Sequence, residues 1–92
     1  MSVTVHLSGH LKPFADGEVE IRVAGDFVTV SDALDSLWKQ HEALKDRVLN
    51  EQGEIRQHVN VFADGEDVKR GRGLATRLRS GEIHIFNAVS GG

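Results

Sequence analysis

The sequence contains no cysteine, and this absence excludes several kinds of site at once. Disulfide bonds, thiolate metal centres and cysteine nucleophiles all require a thiol, so none of them is available to this chain. Long apolar runs are also missing, because no stretch approaches the roughly 18 apolar residues that a membrane-spanning helix needs. The N-terminus has neither the basic start nor the apolar run of a secretory signal. We therefore expect a cytoplasmic protein that does not enter a membrane.

The motifs of common catalytic sites are missing as well. No activated nucleophile, paired acid–base arrangement or phosphate-binding loop is recognisable, and Gly71-Arg72-Gly73 does not follow a strand and open a helix as a phosphate loop would. The histidines are scattered along the chain and share no ligand spacing with a carboxylate cluster, which argues against a metal site: His6, His10, His41, His58 and His84. We expect no enzyme activity and no bound cofactor.

Apolar patterning predicts a small α+β domain. A chain of 92 residues with 39% hydrophobic and 27% charged residues is typical of one soluble globular domain. Alternating apolar positions predict strands at residues 3–7, 19–23, 58–63 and 82–86, with a short return strand at 66–68. The first two strands are expected to form a hairpin, and residues 10–17 to form a loop. Asp64-Gly65 is typical of a type I′ hairpin turn.

One main helix is predicted after the second strand. Thr29 is suited to cap its N-terminus, with Asp32 completing the reciprocal pair of a capping box. The apolar residues that follow share one helical face, which should lie on the sheet: Val30, Ala33, Leu34, Leu37 and Trp38. A short second helix or a turn is predicted at 42–49. Residues 69–79, the crossover segment, are expected to be irregular and anchored by Leu74 and Leu78. This order predicts an α+β roll with a mixed sheet of four to five strands and one main helix across one face.

The C-terminal residues carry the chemistry that we consider most informative. We expect a domain over residues 1–86 and a flexible tail over 87–92. Glycine has no Cβ, so Gly91-Gly92 could pass through a narrow channel and present the Gly92 carboxylate inside a partner's active site. An ionised carboxylate is a poor acyl group, but adenylation by a partner that uses ATP would supply a leaving group. The acyl-adenylate could then react with a persulfide to give a thiocarboxylate, or with an amine.

Strand alternation predicts a recognition surface. Asn60 and Phe62 point away from the buried face of their strand, and His84 and Phe86 do so in the last strand. If these strands are neighbours, the two phenylalanines lie together on the solvent side, where apolar patches commonly mark protein contacts. We call Asn60, Phe62, His84 and Phe86 the docking face. The alternative is that the crossover segment covers one of the phenylalanines.

Charge is distributed unevenly along the chain. Residues 1–67 carry 6 basic and 13 acidic residues, whereas residues 68–92 carry 5 basic residues and one acidic residue. The basic residues of the second part all lie in the crossover segment: Lys69, Arg70, Arg72, Arg77 and Arg79. This segment is either a solvated loop or a docking surface that steers an acidic partner towards the C-terminus. Nucleic acid is a less suitable partner because most of the protein is acidic.

Several segments together resemble one known family, the ubiquitin-like sulfur carriers. They are the helix start Thr29-Val30-Ser31-Asp32, residues 59–68, the crossover residues Gly73-Leu74-Ala75-Thr76 and the ending Ala88-Val89-Ser90-Gly91-Gly92. This family includes the molybdopterin synthase small subunit and the carriers of the thiamin and cysteine pathways. The third hairpin is most similar to that of the cysteine-pathway type. The resemblance implies a β-grasp fold.

The resemblance also implies a function and partners. It implies that a ubiquitin-activating-like enzyme adenylates Gly92 with ATP, and that the resulting thiocarboxylate donates sulfur to a synthase. A sulfurtransferase or desulfurase is a further candidate partner. Cysteine, molybdopterin, thiamin, thiolated tRNA and specialised metabolites are all open as products. Two alternatives are a ubiquitin-like modifier joined to lysines through Gly92, and a non-catalytic interaction module.

Overall fold

The computed structural model describes residues 1–79 and 81–87, which form one mixed sheet with helices on one side. The strands are β1 (Ser2–Leu7), β2 (Glu20–Ala24), β3 (Val59–Ala63), β4 (Glu66–Asp67) and β5 (Glu82–Asn87). The α-helices are α1 (Val30–Gln40) and α2 (Glu42–Val48), and short 3-10 helices occupy Gly9–Ala15, Val68–Arg70 and Gly73–Ala75. None of the helices in the described ranges has the length and apolar character needed to cross a bilayer. The predicted α+β roll is confirmed.

The last strand lies in the middle of the sheet. The strand order is β2-β1-β5-β3-β4, so β5 has β1 on one side and β3 on the other. The β1–β2 and β3–β5 pairs are antiparallel, whereas β1 and β5 are parallel. A parallel pair cannot be closed by a tight turn, so the chain between these strands must pass over the sheet. The helices and the crossover segment lie in that connection.

The core consists mainly of the predicted apolar positions. Alternate residues of the strands point towards α1 and are buried, as the period of two requires: Val3, Val5, Ile21, Val23, Val59, Val61, Ala63, Ile83 and Ile85. The predicted face of α1 covers them, and Trp38 in that face is only 5% exposed. The tryptophan is therefore a core residue, as expected. These positions hold the sheet and α1 together by excluding water from their apolar surfaces.

The predicted capping box at the start of α1 is present. Oγ1 of Thr29 accepts a hydrogen bond from the Asp32 backbone N–H at 3.2 Å. The Asp32 carboxylate in return accepts from the N–H groups of Val28 at 2.9 Å and Thr29 at 3.0 Å. These backbone donors, that of Val28 first, lower the pKa of the Asp32 carboxyl group. The helix N-terminus thus satisfies backbone donors that would otherwise lack partners.

The predicted boundaries between β1 and β2 were wrong. Residues 10–17 are mostly a 3-10 helix rather than a loop, because Leu11 and Ala15 reach the core from it. The turn signals mark only its end, where Asp16 has a φ of 53°. The second strand begins at Glu20, and Val19 just before it is 44% exposed.

The crossover segment is attached to the start of α1. The Leu78 N–H donates to the carbonyl oxygen of Val28 at 2.9 Å, and the Val30 N–H donates to that of Thr76 at 2.8 Å. Leu74 and Leu78 pack against the core, so both predicted anchors are confirmed. The segment is not wholly irregular, because it includes two short 3-10 helices. Its course is therefore set by these hydrogen bonds and apolar contacts.

We expect removal of the capping box to destabilise the protein in a pH-dependent way. The Thr29→Ala change should cost about 1 kcal/mol, the usual loss for an N-cap. Because folding lowers the pKa of Asp32, its carboxylate stabilises the fold above the unfolded-state pKa. That contribution is lost as the pH falls through the folded-state pKa. The stability difference between wild type and Asp32→Ala, measured by urea denaturation, should shrink below about pH 4. A difference that is constant between neutral and acidic pH would contradict this explanation.

We also expect Gly81 to be intolerant of any side chain. Its φ is +84°, and a Cβ at this position would lie 2.8 Å from the carbonyl oxygen of Ser2 in the neighbouring strand. Gly65 is a matched control, because its φ is +85° but no atom lies within 4 Å of its Cβ position. Gly81→Ala should destabilise the protein by more than about 1 kcal/mol in chemical denaturation, and by more than Gly65→Ala. Equal losses for the two variants would exclude the clash as a cause.

Candidate functional site

The structure brings the docking face together on the side of the sheet opposite α1. Strands β3 and β5 are neighbours, with Asn60 opposite Phe86 and Phe62 opposite His84. The Phe62 and Phe86 rings stack with their centroids 5.5 Å apart. Both rings are half-buried. The predicted adjacency of the two rings is therefore confirmed, whereas the role of the face in docking stays a prediction.

The crossover segment flanks this face without covering it. Phe62 lines an open depression together with Arg70 and Gly71 of the crossover segment. Neither phenylalanine is fully buried, so the crossover segment does not cover either ring completely. An aromatic pair that keeps part of its surface in water is suited to bind another protein.

The docking face continues onto β1 through a pair of histidines. His6 and His84 are opposite one another in the parallel β1–β5 pair, and their rings stack with centroids 4.4 Å apart. The Nε2 atom of His6 lies 3.1 Å from the Glu82 carboxylate, and its Nδ1 atom lies 3.7 Å from that of Glu20. The sheet thus brings together two histidines that are 78 positions apart in the sequence. Alternation in β1 already put His6 on the outer face, but only the strand order shows that it adjoins His84.

The basic residues of the crossover segment fall into two groups. Nζ of Lys69 donates to the carbonyl oxygen of Gln57 at 3.1 Å, and the Arg79 guanidinium lies 3.2 Å from the Glu66 carboxylate. The other three are exposed and make no ion pair within residues 1–79 and 81–87: Arg70, Arg72 and Arg77. The segment is thus neither a simple solvated loop nor a uniform basic patch.

The predicted tail lies almost entirely outside the described residues. Asn87, which we predicted as its first residue, is instead the last residue of β5, because it pairs with Val59 of β3. The remaining predicted tail residues are not among those that the structure describes: Ala88, Val89, Ser90, Gly91 and Gly92. What the structure establishes is where they are attached, at the end of the central strand and one residue beyond Phe86.

The sequence matches a known family over nearly its full length. A model of the ThiS family matches residues 5–92. Small archaeal modifier protein 1 of Haloferax volcanii is 42% identical over 74 residues, which are 80% of each chain. The sulfur carrier protein CysO of Mycobacterium tuberculosis is 30% identical over 95 residues, which cover 100% of both chains.

Solved structures agree with this assignment. The crystal structure of SAMP1 from Haloferax volcanii has a TM-score of 0.82 at 37% identity, with 100% of both chains covered. The crystal structure of the BexX/CysO complex of Amycolatopsis orientalis gives a TM-score of 0.83 at 30% identity, with 98% of this chain and 99% of that chain covered. The β-grasp fold implied by the sequence is confirmed. The chain belongs to the ThiS family of ubiquitin-like sulfur carriers.

Proposed function

We propose that this protein carries sulfur as a thiocarboxylate on Gly92 and acts as a co-substrate of other enzymes. The observation that carries the proposal is the full-length alignment with a sulfur carrier, CysO, for a chain that ends in Gly91-Gly92. The absence of cysteine supports it, because the carbonyl carbon of Gly92 is then the site at which sulfur can be held. The family membership supports a carrier role in general, and Gly92 is our specific assignment.

The chemistry proceeds in two stages on partner enzymes. An adenylating enzyme first transfers AMP from ATP to the Gly92 carboxylate, and pyrophosphate leaves. A persulfide on a partner then attacks the carbonyl carbon, so a C–S bond forms while the C–O bond to AMP breaks. A second thiol reduces the S–S bond of the resulting acyl disulfide and releases the thiocarboxylate. Since this chain has no thiol, both sulfur nucleophiles belong to its partners.

The docking face supplies recognition in this proposal. Residues 88–92 follow β5 directly and Gly92 is six residues after Phe86, so an enzyme that holds Gly92 in its active site lies within about 20 Å of Phe86. Phe62 stacks on Phe86 and adds apolar area to the same surface. Aromatic residues near the centre of an interface commonly contribute most of its binding energy. We propose that the adenylating enzyme and the sulfur-accepting synthase both bind this face.

Conjugation to proteins is a second candidate function. It is favoured by the 42% identity to a protein named as a small archaeal modifier. The same acyl-adenylate serves both functions, since an amine of a target lysine can attack the carbonyl carbon in place of a persulfide. The identity of the attacking partner, rather than the carrier, then decides the outcome.

Thiol alkylation provides a direct test of the thiocarboxylate. We expect the protein, incubated with its adenylating enzyme, ATP and a sulfur source, to gain one N-ethylmaleimide adduct in intact mass spectra. No cysteine competes for the reagent. Oxidation of methionine changes the mass by nearly the same amount as exchange of oxygen for sulfur, but oxidised methionine does not react with N-ethylmaleimide. The control without Gly92 should gain no adduct and keep its denaturation midpoint, because the described core ends at β5.

Three other outcomes of this experiment have distinct meanings. High-mass conjugates that disappear when Gly92 is deleted, without any maleimide adduct, would favour the modifier function. If neither an adduct nor a conjugate forms, both proposals are contradicted, and a non-catalytic interaction module is the remaining alternative. A large loss of stability on deletion of Gly92 would show that the end of the chain is part of the fold.

A charge on the docking face should abolish recognition without unfolding the protein. Phe86→Asp is expected to lower kcat/KM for adenylation by about tenfold or more, because it removes an aromatic contact and buries a charge in the interface. The melting curve should stay cooperative, since the side chain is on the outer face. Val19→Asp is the matched control, because Val19 is an exposed apolar residue next to the opposite edge strand, β2. Full activity of Phe86→Asp, or its unfolding, would count against the docking face.

A further inference from the structure

A groove runs along the β4 edge of the sheet, beside the docking face. It consists of two adjoining depressions of about 380 and 530 Å³ that share Glu66, Asp67 and Gly71. The larger one begins at Phe62, and the smaller one reaches Thr76 and Arg77 of the crossover segment. The groove therefore extends from the aromatic pair around the edge of the sheet towards the start of α1.

The charges in this groove are unbalanced. Arg70 lines one depression, Arg72 and Arg77 line the other, and none of them makes an ion pair within the described ranges. Glu66 is paired with Arg79, and one oxygen of Asp67 accepts the Lys69 backbone N–H at 3.0 Å. Counting the Asp67 charge against the three arginines still leaves the groove positive. We name this set, Arg70, Arg72 and Arg77, the arginine groove.

One end of the groove lies against the last strand, because Phe62 in its lining stacks on Phe86 of β5. Arg70 lines the same depression as Phe62. A partner that contacts Phe86 is thus adjacent to the end of the groove that Arg70 lines. This continuity with the docking face places the groove within one interface.

We propose that the arginine groove receives carboxylate side chains of the adenylating enzyme and steers that enzyme onto the docking face. This inference rests on the proposed sulfur-carrier function and adds the chemistry of the partner's surface. Guanidinium groups form bidentate bonds to carboxylates and stay charged at any physiological pH. Charges around an apolar patch mainly raise the rate of productive encounter. The partner therefore carries acidic residues beside an apolar pocket for Phe62 and Phe86.

Charge reversal with a matched control tests this proposal. The variant Arg70→Glu/Arg72→Glu/Arg77→Glu is compared with Lys12→Glu/Arg22→Glu/Lys45→Glu, in which three exposed cations outside the groove are reversed. The two variants have the same net charge, so only the location of the changes differs. Association with the purified adenylating enzyme is followed by stopped-flow fluorescence at low and at high ionic strength. Thermal melting checks that both variants remain folded.

We expect the groove variant to associate about tenfold or more slowly than the control variant at low ionic strength. The difference should nearly disappear at about 1 M salt, where the Debye length is about 3 Å. Equal association rates of the two variants, or a loss that persists at high salt, would overturn the proposal. A wild-type protein that the enzyme does not adenylate would instead contradict the proposed function.

A second copy of this chain is the competing occupant, since residues 1–67 carry an excess of acidic residues. Light scattering coupled to size-exclusion chromatography distinguishes such a dimer from a monomer. We expect wild type and groove variant to be monomeric alike. A wild-type dimer that becomes monomeric in the groove variant would assign the groove to self-association and overturn the proposal.

Discussion

The parallel pairing of β5 with β1 is the constraint on which the other features of this molecule depend. It places the last strand of the chain between β1 and β3, where both of its edges are hydrogen-bonded. Ile83 and Ile85 are fully buried there. Residues 88–92 are consequently attached to a central strand instead of an edge strand. Their point of attachment, Asn87, is itself paired with Val59 of β3.

The same pairing assembles the docking face. With β5 between its neighbours, its outer residues contact side chains from both of them: His84 stacks on His6 of β1, and Phe86 stacks on Phe62 of β3. Histidines and phenylalanines that are far apart in sequence therefore form one continuous surface. Because a parallel pair needs a long connection, the chain must also cross the sheet before β5 begins. That crossover carries the arginines to the β4 edge.

The proposed function separates chemistry from recognition. In it, reactivity resides in the Gly92 carboxylate, and the partner enzymes supply ATP, sulfur and acid–base groups. In the same proposal, the folded domain contributes a surface that selects those enzymes and orients the carboxylate. A carrier of this kind can pass between an adenylating enzyme and an acceptor enzyme, because the two enzymes can bind the same surface one after the other. The similarity to both CysO and a small archaeal modifier is consistent with this division, since one activated carboxylate suits sulfur and amine nucleophiles alike.

Most of the fold could be predicted from local patterns, because strand alternation and helix capping depend on residues that are close together in the sequence. Alternation located the buried residues of β1, β3 and β5, and the pair Thr29 and Asp32 marked the start of α1. The 3-10 helix at Gly9–Ala15 was missed because Leu11 and Ala15 are stabilised by the core and not by their own sequence neighbours. Asn87 was placed in the tail because its strand pairing depends on Val59, which is distant in the chain.

The sequence by itself determined the absence of thiols, the buried faces of β1, β3, β5 and α1, and the family to which the chain belongs. Tertiary structure alone decided which exposed residues meet. His6 adjoins His84, and Lys69 and Arg79 have partners while Arg70 makes no ion pair within residues 1–79 and 81–87. These contacts depend on strand order and on the path of the crossover. The strand order and the path of the crossover arise from long-range hydrogen bonding and burial, which no local pattern of residues encodes.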